Sequence, residues 1–227
     1  MTEAGERRSA VIAKIRLGLG VYDSAQRRAA VARRLAEPSA PLVPERAKQP
    51  ADTRRLQLRT FLEGQSATCI EVASSAEVPE AVGRFLRSTN LPLRVRVGDD
   101  AYLHGLDWQR EPALQRLRGP AQGDDEVGLS HAAAAVAETG TLVMASGADN
   151  PVTLNFLPET HIVIVEDKDL VGGYEGAWEK IRARFGLRAM PRTVNFVSGP
   201  SRTADIGGQL VMGAHGPRRL CVILVRA

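Results

Sequence analysis

Residues 67–98 read ATCIEVASSAEVPEAVGRFLRSTNLPLRVRVG. ATCIEVA (67–73) is a short run rich in β-formers and predicts a strand. SSAEVPEAVGRFLRSTN (74–90) opens on serine, carries acidic residues in its first turn and predicts a helix. LRVRVG (93–98) alternates apolar and basic residues and predicts a second strand. Strand, helix and strand within about 30 residues form a βαβ unit, so a parallel sheet is expected.

The same rhythm returns further on. THIVIVE (160–166) predicts a strand, GGYEGAWEKIRARFG (172–186) a helix and RTVNFVSGP (192–200) another strand. A short helix is expected to begin near Ser201, and LCVILVRA (220–227) reads as a last strand. Between the two blocks, AAVAETGTLVMAS (134–146) places two apolar arms around Glu138-Thr139-Gly140 and suggests a β-hairpin. The short segment between SGPS and the last strand makes a right-handed crossover tight. The last strand is therefore expected to be antiparallel or edge-placed, with His215 facing the same cleft as Ser201.

Upstream of this body the chain changes character. Val11, Ile12, Ile15, Leu19, Val31 and Leu35 recur at helical spacing, interrupted at Gly18-Leu19-Gly20, which predicts two helices. PSAPLVPERAKQP (38–50) is an extended connector, because proline fixes φ and donates no hydrogen bond. Residues 51–64 read as helix again. The expected division is an N-terminal helical arm with its proline-rich connector, 1–50, and an α/β domain, 51–227. Such an arm needs something to receive it, either a second copy or a different subunit.

Composition narrows the function classes. The 227 residues are 44% hydrophobic and 25% charged, as in soluble globular proteins. No apolar run reaches about 18 residues, so no membrane span is expected. The start, MTEAGERRSAVIAKI, lacks the apolar core of a secretory signal, which points to the cytoplasm. Cys69 and Cys221 cannot build a Cys₄ zinc site or hold an iron–sulfur cluster, and read as core residues of a reducing compartment. Residues 1–60 hold 13 Lys+Arg against 6 Asp+Glu, a net of +7 within a total of +4. With aromatics at only 4%, no stacking platform accompanies this charge, and nucleic-acid binding is not expected. A solvated basic helix that packs on the body or a partner explains the charge better.

Three constellations could carry chemistry. In SGPSRTAD, Ser198, Gly199, Pro200, Ser201, Thr203 and Asp205 follow a strand and open the expected helix. Amides at a helix start lack intrahelical acceptors, so a carboxylate or phosphate can bind there. The same stretch also reads as an ordinary serine-capped turn. In GAHGP (213–217) two glycines, Gly216 among them, and a proline hold His215 in a tight loop, where it could act as acid, base or donor. In AETGT, Glu138 stands beside Thr139, Gly140 and Thr141 in an apolar setting. It must face solvent, a partner or a ligand, since an unpaired buried carboxylate is costly. It serves as base or nucleophile on one reading and as a polar hairpin tip on the other. His104, His131 and His161 show no metal-ligand spacing, and His161, opening a strand, reads as a structural hydrogen-bonder. No metal site and no nucleotide, flavin or nicotinamide motif is recognisable.

AETGTLVMAS, LPETHIVIVED and SGPSRTADIGGQLVMGAHGPRRLCVILV, in that order, resemble the LUD domain, nearest its lactate utilization protein C group. The resemblance covers roughly 67–227. It implies a fold like the NagB/RpiA/CoA-transferase group, a three-layer α/β/α architecture with a mainly parallel sheet. It also implies a role in oxidising L-lactate to pyruvate beside partner proteins that carry the iron–sulfur clusters. This chain lacks their cysteine clusters, as the small LUD-only member does. The family often has Glu after the TADI stretch, where this chain has Gly207. From the resemblance and the motifs three readings stay open. One is a non-redox subunit binding a small anion or a partner through the SGPS loop, Glu138 and His215. Another is a free-standing CoA-transferase- or isomerase-like enzyme using Glu138. The third is a non-catalytic, lactate-responsive binding protein.

Overall fold

The computed structural model describes residues 3–20, 25–37, 40–186, 189–206 and 209–226. The chain falls into two compact units, 1–42 and 43–227. The first holds α1 (Glu3–Gly18) and α2 (Ala25–Ala36), separate helices as the glycine break suggests. The boundary lies at Leu42/Val43 rather than after Pro50, because residues 43–50 belong to the α/β unit. Ala47 is buried there, and Arg46 pairs with Glu138.

The second unit runs through α3 (Ala51–Gly64), β1 (Thr68–Val72), α4 (Val78–Ser88), β2 (Arg94–Val97) and α5 (Ala101–Gly105). It continues with β3 (Gln115–Arg118), β4 (Val127–His131), β5 (Ala134–Val136), β6 (Thr141–Ala145), β7 (Thr160–Glu166) and β8 (Leu170–Val171). It ends with α6 (Tyr174–Phe185), β9 (Val194–Val197), β10 (Arg202–Ile206), β11 (Gln209–Met212) and β12 (Arg219–Val225). Six strands form one sheet in the order β1-β12-β7-β4-β2-β3, and every neighbouring pair is parallel. The parallel α/β architecture is the expected one. The strands β1 and β2 of the leading βαβ unit are nevertheless not neighbours, since β12, β7 and β4 stand between them.

Along β7 and β12 the side chains alternate between two cores. Ile162, Ile164, Cys221, Ile223 and Val225 face one side, packed with Val82, Phe85 and Leu86 of α4. Val163, Val165, Leu220, Val222 and Leu224 face the other, against Leu58 and Leu62 of α3 and Leu142 and Met144 of β6. Both faces are thus covered, which explains why these strands are nearly continuous apolar runs. The covering on the α3 side includes a second sheet, β8-β5-β6-β9, whose outer face carries α6 through Ala177 and Ile181.

Two expectations about the C-terminal third need correction. β12 is neither antiparallel nor at an edge: it lies between β1 and β7, parallel to both. The tight crossover does not arise, because β9 belongs to the second sheet. The connection from β7 to β12 therefore uses the whole of 167–218, α6 included. No helix follows Ser201 either. Arg202–Ile206 is a strand paired antiparallel with Gln209–Met212, consistent with the β-branched Thr203, Ile206 and Val211.

Candidate functional site

Glu138 follows β5 and precedes the turn into β6. Its amide donates to Gly172 O at 3.0 Å, which sets it beside the start of α6. Only 4% of its surface is exposed. Arg46 Nε donates to Glu138 Oε2 at 3.1 Å from a side chain that is 61% exposed. The carboxylate is therefore buried but covered by a cation that stands toward solvent. This arrangement differs from the polar hairpin tip of the bland reading.

The turn after Glu138 is built on glycine. Gly140 has φ +64°, and a Cβ there would stand 2.6 Å from Phe61 Cβ of α3. Gly199, at φ +141°, leaves the same narrow room beside Gln65, where a Cβ would stand 2.8 Å from Gln65 Cβ. Both turns are thereby pressed against the end of α3. Between them lies a cluster of hydroxyl groups. Thr141 Oγ1 hydrogen-bonds Thr139 Oγ1 at 2.7 Å, Ser198 Oγ at 2.7 Å and the Tyr174 hydroxyl at 3.1 Å. Thr139 Oγ1 also donates to Tyr174 at 3.1 Å. The fold thus gathers Glu138, Thr139, Gly140, Thr141, Ser198 and Gly199, although 57 positions separate Thr141 from Ser198. Tyr174 and Arg46 join them, and sequence reasoning named neither. A tyrosine at the start of a helix and an arginine in a proline-rich stretch give no local signal.

Ser201 and His215 also meet. Ser201 Oγ accepts from the His215 amide at 3.2 Å, the Ser201 amide donates to Pro217 O at 2.8 Å, and Gly216 lies against Ser201. The meeting is made by the β10–β11 hairpin bringing the chain back, not by a reversed last strand. The residues after Ser201 form a strand, so the anion cradle expected from the amides following Pro200 has no helix start to supply it. Thr203 pairs with Val211 across the hairpin, and Asp205 lies in β10. Gly207, where the family often has Glu, lies outside the described residues.

A second cluster occupies the carboxyl edge of the six-stranded sheet. The chain leaves β2 outward to β3 but leaves β4 the opposite way toward β7 and β12, so a topological switch point falls between β2 and β4. Ligands of open α/β sheets collect at such points. His131 ends β4, Glu166 ends β7, Asp169 follows it, and Asp100 follows β2. His131 Nε2 is 3.4 Å from Glu166 Oε2 and 3.6 Å from Asp169 Oδ2, while Nδ1 is 3.7 Å from Asp100 Oδ2. Tyr102 stacks on the imidazole at 4.4 Å. Burial alone would lower the His131 pKa, but Asp100 and Asp169 outweigh it and raise it to about 9. Burial likewise opposes the charge of Asp100 and Asp169, and His131 holds both below the usual carboxylate range. No local pattern marks this cluster, because its members sit at the ends of separate strands. His161, by contrast, is the structural histidine expected. It is buried, pairs with Ser130 Oγ at 2.9 Å, and is lowered to about 4 by desolvation.

An α/β chain with a parallel sheet, a glycine-turned acidic hairpin and a C-terminal His loop defines a recognisable class. The LUD domain family model matches residues 95–225, and the chain belongs to that family. Lactate utilization protein C of Shouchella clausii is 36% identical over 100 residues, 44% of each chain. That of Bacillus subtilis is 32% identical over 120 residues, 52% of this chain and 49% of its own. An uncharacterized protein of Neisseria meningitidis is 30% identical over 152 residues, 64% of each. The chain spans about half the length of most of these curated relatives. The crystal structure of a DUF162 family protein from Deinococcus radiodurans superposes with a TM-score of 0.59 at 26% identity, covering 78% of this chain and 99% of that one. Among the described residues, no helix is long and apolar enough to cross a membrane.

Proposed function

We propose that this chain is the LUD-only subunit of a cytoplasmic L-lactate utilization system that oxidises lactate to pyruvate. It binds a small carboxylate and carries no iron–sulfur cluster of its own. The observation that carries this reading is a buried carboxylate, Glu138, on the same turn as the hydroxyl cluster of Thr139, Thr141, Ser198 and Tyr174, in a family whose relatives include proteins named for lactate utilization. Arg46 offers an exposed guanidinium to the ligand's carboxylate, and the hydroxyl groups offer donors and acceptors to its hydroxyl. Glu138 is the group able to accept a proton. The two electrons leave to acceptors on partner proteins of the same system and the second proton leaves to solvent, since two free cysteines cannot hold a cluster on this chain. The helices of residues 3–36 are the surface offered to those partners or to a second copy.

The test is growth on lactate of a host lacking its LUD-only protein, joined to an assay of lactate-dependent dye reduction by the purified chain with and without the iron–sulfur partners. Wild type restores growth and supports dye reduction only when the partners are present. Glu138→Gln and His215→Ala fold normally and lose complementation. Turnover by the isolated chain on acyl-CoA or sugar phosphate would replace this reading with the transferase or isomerase one. Wild-type failure to complement would overturn it.

A further inference from the structure

We propose that His131, Glu166 and Asp169 bind a divalent transition cation of the Zn²⁺ or Mn²⁺ class, with Asp100 orienting the imidazole from behind. The geometry is that of a ligand set. Two ligands each about 2.1 Å from a tetrahedral ion stand about 3.4 Å apart. His131 Nε2 lies 3.4 Å from Glu166 Oε2 and 3.6 Å from Asp169 Oδ2, and all the ligand atoms lie within 4.8 Å of one another. Those separations are too long for good hydrogen bonds and right for sharing an ion.

The imidazole itself points to a ligand. Nε2 is buried and has no hydrogen-bond partner, a costly state for a polar atom unless something completes it. The opposite nitrogen faces Asp100 Oδ2 at 3.7 Å, and the other Asp100 oxygen is fixed by the Leu103 amide at 2.8 Å. An anchored carboxylate on that side gives the support that metal-binding imidazoles receive once the pair closes from 3.7 Å to hydrogen-bond distance. Tyr102, stacked on the ring, fixes its plane.

The charges around the set suit a dication. Asp100, Glu166 and Asp169 are faced by His131, which releases its extra proton to solvent as the ion binds, by Lys180 on Asp169 Oδ1 at 3.0 Å and by Lys168 on Glu166 Oε2 at 2.6 Å. Lys180 holds the Asp169 oxygen turned away from His131, so it keeps its place when the ion binds. Lys168 is 64% exposed and moves into solvent as the ion takes its oxygen. One nitrogen with two carboxylates suits ions between the imidazole-preferring and oxygen-preferring groups, hence Zn²⁺ or Mn²⁺. The location supports it too, at the switch point of a parallel sheet. Nothing in this site depends on lactate being the substrate.

The purified full chain, stripped with chelator, is dialysed against low-micromolar ZnCl₂ and, separately, MnCl₂, and its metal content measured. Co²⁺ added in place of either ion reports coordination number through its visible absorption. One ion per chain is expected, with Co²⁺ showing the intense bands of a four-coordinate site. His131→Gln abolishes binding, and Asp100→Asn weakens it by about 10–100-fold. Circular dichroism checks that each variant is folded. If His131→Gln does not fold, Asp169→Asn decides in its place. Failure of the wild-type chain to retain either ion overturns the assignment, and so does undiminished binding in the folded variants.

Discussion

Arg46 and Glu138, 92 positions apart, meet at 3.1 Å, joining a segment that leads into α3 to the buried turn between β5 and β6. The partners are unequal, one largely exposed and the other almost wholly buried. Removing the arginine leaves a buried carboxylate without its cation. Arg46→Ala is expected to cost about 1–3 kcal/mol, read from the urea midpoint at constant slope. Adding Glu138→Gln should recover much of that loss, since a neutral amide needs no counter-charge. A double variant as unstable as Arg46→Ala alone would mean the pair is not coupled.

At Gly140 two costs coincide, a left-handed backbone and a neighbour at 2.6 Å. Gly140→Ala is expected to destabilise by about 2 kcal/mol or more, measured by thermal melting. Because the neighbouring atom is Phe61 Cβ, Phe61→Ala should not rescue the variant. Rescue by that change would place the clash in the phenyl ring instead.

Thr141 is fully buried, and its hydroxyl links three others. Thr141→Val keeps the shape and removes the link. A loss of about 1–3 kcal/mol is expected from the partners left unsatisfied. Calorimetry on the variant tests this, and an unchanged melting temperature would show that the hydroxyl groups re-pair without it.

His161 sets a pH dependence. Its pKa falls from 6.5 to about 4 because burial penalises the charged ring. Between those values the unfolded chain takes up a proton that the folded chain refuses. Stability from this group is therefore full above pH 6.5 and declines as pH drops toward 4, by on the order of 3 kcal/mol. His161→Gln should flatten the decline in urea titrations across that window. An equally steep decline in the variant would assign the acid sensitivity to other groups.

Much of the fold was legible because its strands are short apolar runs between helices with clear periodicity. THIVIVE and LCVILV are strands as read, and AAVAETGTLVMAS is the hairpin expected. Sheet membership was not legible. RTVNFV reads like any buried strand, yet β9 pairs with β6 in the second sheet, and that choice depends on contacts distant in sequence. The helix expected after Ser201 failed for a related reason. A serine before polar residues caps a helix in isolation, but pairing with Gln209–Met212 prevails here. Glycine turns mark Glu138 and His215 as candidates in the sequence, because backbone constraint leaves a local mark. His131, Glu166 and Asp169 left none, since each is simply the residue where a strand ends.

β1 touches its sheet only through β12, with Thr68 opposite Cys221 and Val72 opposite Val225. During synthesis, therefore, the early strand has no neighbour in its sheet until Arg219–Val225 has emerged, about 150 residues later. Its partly apolar segment must wait unpaired while β2, β4 and β7 are made. Such non-local pairing slows closure and leaves a strand exposed to misassociation in the meantime. The nascent chain thus passes through a long interval in which the sheet carries an open edge along β7.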